Sequence, residues 1–266
     1  MTQDTQEPAL ASGEKLVENR VPIPTWDFWL VKLLAVTVGE TFADMIAVNF
    51  GLGLSNTGLL MGVVLVGLLI VQFSKKRYVP VWYWLSVVLV SIEGTIITDK
   101  LVDDFGVSLM TTTTVFGLAL AAVFAIWYWI EGTLSIHKVT NFRREAFYWL
   151  AILTTFALGT SAGDQAAEAL GLGFLTSALM YAGIIAVIAA AYFGAGLNAV
   201  FSFWAVYIIT RPAGASLGDW LAQPKDATGL GLGTIPTSLI FLVAIAVTIF
   251  YMMRSRDGVE MERVSE

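Results

Sequence analysis

The chain has 266 residues, 57% of them hydrophobic and 14% charged, with a mean hydropathy of +0.75. Soluble domains run at roughly 45–50% apolar and about 25% charged, so one water-facing core could not hide this much apolar surface. A net charge of −6 without a basic patch speaks against nucleic acid. The absence of cysteine excludes disulfides, thiolate nucleophiles and sulfur metal sites, and His137 is the single imidazole.

In chain order, residues 1–24 are polar and acidic with no cleavable signal stretch, and read as a disordered cytoplasmic tail. Eight apolar runs follow, near 28–48, 55–73, 80–99, 110–130, 147–167, 174–193, 197–218 and 234–253. Each has the length of a helix that crosses a bilayer, and none alternates as a barrel strand would. The fold class expected is therefore an all-α integral membrane protein with eight transmembrane helices. It divides into a first four-helix half (25–130), a cytoplasmic connecting loop (131–146), a second half (147–253) and a cytoplasmic tail (254–266). Eleven basic residues, among them Lys75, Arg77, Lys138 and Arg143, fall at one set of helix ends, against Lys100 and Lys225 at the other. The positive-inside rule then puts both termini in the cytoplasm, across a bacterial inner membrane.

A repeat dominates the chain. Trp29, Trp84, Trp149 and Trp204 each follow an aromatic residue: Phe28, Tyr83, Tyr148 and Phe203. Ten residues later stand Gly39, Gly94, Gly159 and Gly214, and five further on Asp44, Asp99, Asp164 and Asp219. Turn glycines follow at Gly51, Gly106, Gly171 and, after a five-residue insertion, Gly231. Hydroxyls then open the next helix at Thr57, Thr112, Ser177 and Thr237. The glycine spacings of 55, 65 and 55 residues imply a two-helix unit duplicated twice. Two spans per unit make the four repeats parallel, which suits a quasi-symmetric ring or a two-half bundle.

Each column carries a structural reading beside any functional one. The tryptophans read as interfacial anchors, the glycines as small-residue helix contacts, and the hydroxyls as N-caps. The aspartates lie about 22 Å from the tryptophans, where a charge faces a bundle interior or a wet cavity or else ends a helix in solvent. Four at one level favour a site, and oxygen donors suit a hard cation. Glu40 and Asp44 share a helix face and form the leading ligand pair, with Asp99, Asp164 and Asp219 as partners. Thr41, Glu93, Ser161 and Ser216 join the four hydroxyls as supporting groups. Arg211, beside Pro212 in the fourth repeat only, is a candidate counter-charge. Lys32, one turn into its helix, is expected to snorkel to the cytoplasmic interface.

Gly159-x-Ser161-x-Gly163 and Gly214-x-Ser216-x-Gly218 match the nucleophile-elbow pattern. That pattern needs a strand-to-helix turn and a base; His137 lies at the opposite end, and no enzyme is expected. The Trp-x10-Gly-x4-Asp unit, with Gly39-Glu-Thr-Phe-Ala-Asp44 and Gly51-Leu-Gly-Leu54, resembles an uncharacterised bacterial family of multi-spanning membrane proteins over residues 25–253. Gly163-Asp164 and Gly218-Asp219 are loosely similar to the Glu-x-Gly-Asp motifs of calcium and manganese cation/proton exchangers. The function expected is a transporter of Mn²⁺, Ca²⁺ or Mg²⁺, with protons as the coupling ion, the cation being cargo and no cofactor being needed. The alternatives are a cation channel with a four-aspartate ring and a non-transporting scaffold or sensor.

Overall fold

The computed structural model describes residues 19–265, with side chains through Arg254. Among the described residues all regular structure is helical. The long helices are α1 (Trp26–Asp44), α2 (Gly53–Ser74), α3 (Pro80–Asp99), α4 (Leu109–Glu131), α5 (Phe142–Asp164), α6 (Phe174–Ala195), α7 (Ala199–Ala222) and α8 (Thr234–Ser265). Six are long and apolar enough to cross a membrane. The other two, α1 and α7, carry the charges Asp27, Lys32, Glu40, Asp44, Arg211 and Asp219.

Local chemistry sets the boundaries. Pro80 starts α3, where a missing N–H costs nothing. Ser108, Asn141 and Asn198 cap α4, α5 and α7 by accepting backbone N–H bonds. Left-handed Gly132 and Gly196 end α4 and α6. The hydroxyls expected as caps do something else. Thr57, Thr112 and Thr237 lie four or five residues into their helices and donate to the carbonyls of Gly53, Ser108 and Gly233 at 2.7–2.8 Å.

The first helices of the repeats form a closed ring: α1 packs on α3, α3 on α5, α5 on α7, and α7 on α1. The second helices lie outside it, each on the first helix of the next repeat: α2 on α3, α4 on α5, α6 on α7, and α8 on α1. No repeat is a self-contained pair, because each is completed by its neighbour.

The glycine column makes the ring close. A Cβ on Gly39 would meet Ser91 Oγ at 1.8 Å, on Gly94 Phe156 Cβ at 2.6 Å, on Gly159 Arg211 Cγ at 2.1 Å, and on Gly214 Val36 Cγ1 at 2.5 Å. Val36, Ser91, Phe156 and Arg211 are themselves one repeat column, three residues before each glycine. Each glycine thus receives the side chain that its successor presents.

The aromatic column closes the basic end by the same rule. Phe28 packs on Trp84, Tyr83 on Trp149, Tyr148 on Trp204, and Phe203 on Trp29, with centroids 5.5–6.1 Å apart. Trp84, Trp149 and Trp204 are buried, so they are core residues and not the interfacial anchors expected of them. A bond between the Tyr83 and Tyr148 hydroxyls, 2.5 Å, ties α3 to its ring neighbour α5 within the layer.

Three boundaries move. Residues 19–24 belong to the fold, and only 1–18 of the expected N-terminal tail lie outside the described residues. Asn19 donates to the Ile136 carbonyl, Arg20 N–H to Val139, and the Arg20 guanidinium pairs at 2.9 Å with fully buried Glu145, which Gln72 also holds. The segment straps the two halves together at the basic end. The connecting loop shortens because α5 begins at Phe142, and the tail expected from Arg254 continues α8 to Ser265.

Candidate functional site

Above the aromatic layer, the ring axis holds Lys32. It does not snorkel. Fully buried, it donates to the Tyr207 carbonyl at 2.7 Å and stands 4.2 Å from the centre of that ring. The aromatic closure beneath it blocks the route to the basic end. Among the described residues no carboxylate pairs with it.

Two turns higher lies the one charge pair on the axis. The fully buried Arg211 guanidinium bonds Glu40 Oε2 at 3.0 Å and the hydroxyls of Thr95 and Thr160 at 2.6 Å each. Thr95 also donates to Glu40 at 3.1 Å. Glu40, Thr95 and Thr160 occupy one repeat position, whose fourth member is Ala215. Arg211, one turn earlier on α7, occupies the place that Ala215 leaves. Low dielectric strengthens the pair, and its hydrogen bonds offset the cost of burying two charges.

The four aspartates stand a turn above. Asp219 is buried and the other three are partly exposed. Glu40 lies within electrostatic reach of all four, and Asp164 within reach of Asp99 and Asp219. The ring therefore brings Glu40, Asp44, Asp99, Asp164 and Asp219 to one end of the axis. They do not close on a point: among the described residues no three acidic or histidine groups are placed to hold one metal ion.

After Asp44, Asp99 and Asp164 the inner helices do not end but widen into π-helical turns, Met45–Asn49, Lys100–Asp104 and Gln165–Ala169. Such turns recur at functional sites. The second and third of these turns carry acidic groups that the sequence reading passed over, Asp103 and Glu168, and Gln223 holds the matching place just after α7; each stands four residues after an aspartate of the column. Asp103 and Glu168 lie within electrostatic reach of Asp44, and Gln223 donates to Asp44 Oδ2 at 3.3 Å. Their i+4 spacing was the available signal. The five-residue insertion then folds across the acidic end, where Thr228 receives the Phe174 N–H of α6.

The supporting groups scatter. Thr41 is tied to Ser238 of α8 at 2.8 Å, and Ser161 bonds its own helix at the Leu158 carbonyl. Ser216 and Ser177 are buried without a hydrogen-bond partner. Thr57, Thr112 and Thr237 serve their own first turns. Glu93 leaves the axis altogether and lies between α3 and α2, its Oε1 unpaired and 3.6 Å from where a Cβ on Gly62 would stand. Leu158 holds the same position in the third repeat. Glu93→Leu is expected to raise stability in detergent by about 1–3 kcal/mol, the cost of an unsatisfied buried polar group. Chemical denaturation of the two proteins checks it.

A family model described as "Repeat of Unknown Function (DUF347)" matches four times, at residues 28–78, 82–133, 147–197 and 202–257. Together the matches cover well over half of the chain. The chain belongs to this repeat family. Each DUF347 match takes in one ring helix and the outer helix after it, so the family's unit is the one whose two halves pack on different neighbours. No curated protein and no solved structure matches the chain.

Proposed function

We propose that the protein is a proton-coupled carrier of a hard divalent cation, set in a bacterial inner membrane through eight helices with both termini cytoplasmic and its four repeats parallel. One observation supports this reading above the others. At the acidic end of the axis Glu40 pairs with Arg211, and the four aspartates stand a turn above within electrostatic reach of Glu40, with no cation paired to any of them among the described residues. An unbalanced cluster of negative charge inside a bilayer needs a mobile counter-ion, a cation or protons. Carboxylates that stand apart fit an ion that keeps part of its water, as Mg²⁺ does and Mn²⁺ can. The closed aromatic layer below Lys32 favours a carrier over an open channel. It also suits a scaffold or sensor that binds the cation without moving it, and flux separates these readings.

The test is uptake of Mn²⁺ or Mg²⁺ into proteoliposomes across an imposed pH gradient. Wild-type protein should show saturable uptake. Asp44→Asn with Asp164→Asn should reduce it at least about tenfold, the usual floor for disturbing a metal site, while the protein remains monodisperse. Uptake unaltered in that variant overturns the site. Binding without uptake by the wild type assigns the protein to the sensor class.

A further inference from the structure

A seam of the quasi-symmetric ring is left unfilled among the described residues. A cavity of about 710 Å³ lies between α1, α6 and α7, and its wall is mostly apolar. That volume is in the range of ligand sites.

The repeat shows why it is there. On the inward face of the outer helices, one column reads Leu69, Phe124, Ala189 and Ile249, and the next Gln72, Trp127, Tyr192 and Met252. In the second repeat Phe124 and Trp127 fill the seam against Trp204, with centroids 4.9 and 5.8 Å away. In the fourth, Ile249 and Met252 are buried. The third repeat alone puts alanine in the first column, and Tyr192, 39% exposed, turns to Phe193. Both Ala189 and Tyr192 line the cavity.

Its shape decides the occupant. The lining on α7 runs from Ala199 to Leu217, about 27 Å of helix. Over that length the volume corresponds to a channel narrower than the 10–12 Å diameter of a helix with its side chains. Neither a second copy's helix nor a partner's fits. Water is excluded by the apolar wall. A single hydrocarbon chain fits, and the residues flanking the seam on α6, Leu179 and Val187, are exposed and continuous with the outer apolar surface. Ser135 and His137 stand at the basic end, where a head group would sit.

We propose that this seam binds one acyl chain of a membrane phospholipid, its head group beside Ser135 and His137. The proposal rests on the membrane reading of the fold and is independent of the cation site. Thr210 and Ala213 also face the cavity, so the chain lies against the stretch of α7 that carries Arg211.

The experiment uses the full chain in nanodiscs containing a phospholipid with a photoactivatable group in its acyl chain. Label is expected to concentrate on the seam-facing residues of α6 and α7. Ala189→Phe, which restores the filler of the second repeat, should remove most of it, as should Ala182→Leu, which copies Leu242. Ala189→Phe should also raise the thermal midpoint of delipidated protein and abolish the further rise that added phospholipid gives the wild type. Even labelling of all four outer helices, or seam label unchanged in both variants, overturns the proposal. So does seam labelling by a photoactivatable free fatty acid but not by the phospholipid. Protein that stays in the aqueous phase without detergent would instead overturn the membrane reading.

Discussion

Arg211→Met should be among the most damaging single substitutions in this chain, costing about 3–5 kcal/mol, the usual loss when one partner of a buried ion pair is removed. The arginine is fully buried and its guanidinium serves three oxygens from three ring helices: Glu40 on α1, Thr95 on α3 and Thr160 on α5. Its removal leaves the Glu40 carboxyl 5% exposed and held only by Thr95. Glu40→Gln should cost less, because Arg211 keeps both threonine hydroxyls and the amide oxygen still accepts. The double variant Arg211→Met with Glu40→Met should recover much of the loss, since a buried pair replaced by apolar groups is often neutral. Denaturation midpoints of the wild type, Arg211→Met, Glu40→Met and the double variant in one detergent close this cycle. Coupling between the two sites should be about 0.5–3 kcal/mol. Strict additivity would mean that the two side chains act separately and that the axis is not organised around them.

Much of this fold can be read from spacing alone, since the offsets of 55, 65 and 55 residues align the ring helices without knowledge of their contacts. The partner of each glycine column cannot. Val36, Ser91, Phe156 and Arg211 share a position but no chemistry, and only the closed ring shows that each fills its neighbour's glycine. Lys32 and the tryptophans were misplaced for one reason. Amphipathic residues near the end of a span are ordinarily read as interfacial, which assumes that their face looks outward. Here the first helices face one another, and close glycine contacts above leave an axis below that only aromatic rings can fill. The candidate carboxylates were legible because charge is rare in an apolar span. Asp103 and Glu168 were not, because they fall where a loop was expected and a π-helical turn prolongs the helix. Glu93 was drawn in by its neighbour Gly94, yet one residue is 100° on a helix, enough to point it at α2 instead of the axis.

Adding a single methyl at the glycine column should open the ring, and the damage should be repairable only where a second substitution takes away the Cβ seated over the glycine. At Gly39 the obstruction is the Ser91 side chain, with Oγ at 1.8 Å and Cβ at 2.5 Å, while the nearest backbone atom is 3.0 Å away. At Gly94 the obstruction is Phe156 Cβ at 2.6 Å together with the Ala157 backbone nitrogen at 3.0 Å. Overpacking of this kind costs about 1–3 kcal/mol and sometimes more, because the backbones must part. Gly39→Ala and Gly94→Ala should therefore both lower the denaturation midpoint strongly. Ser91→Gly should rescue Gly39→Ala, since it removes the two closest atoms. Phe156→Ala should not rescue Gly94→Ala, because alanine keeps the offending Cβ. The contrast matters more than either loss. A merely destabilised helix would respond alike to both second substitutions, and each would add to the damage. A seam closed by a residue seated over a glycine responds only where that residue can be taken away. If Gly39→Ala is tolerated with Ser91 intact, the ring is looser than these contacts require, and the carboxylates one turn above are no longer held at fixed spacing about the axis.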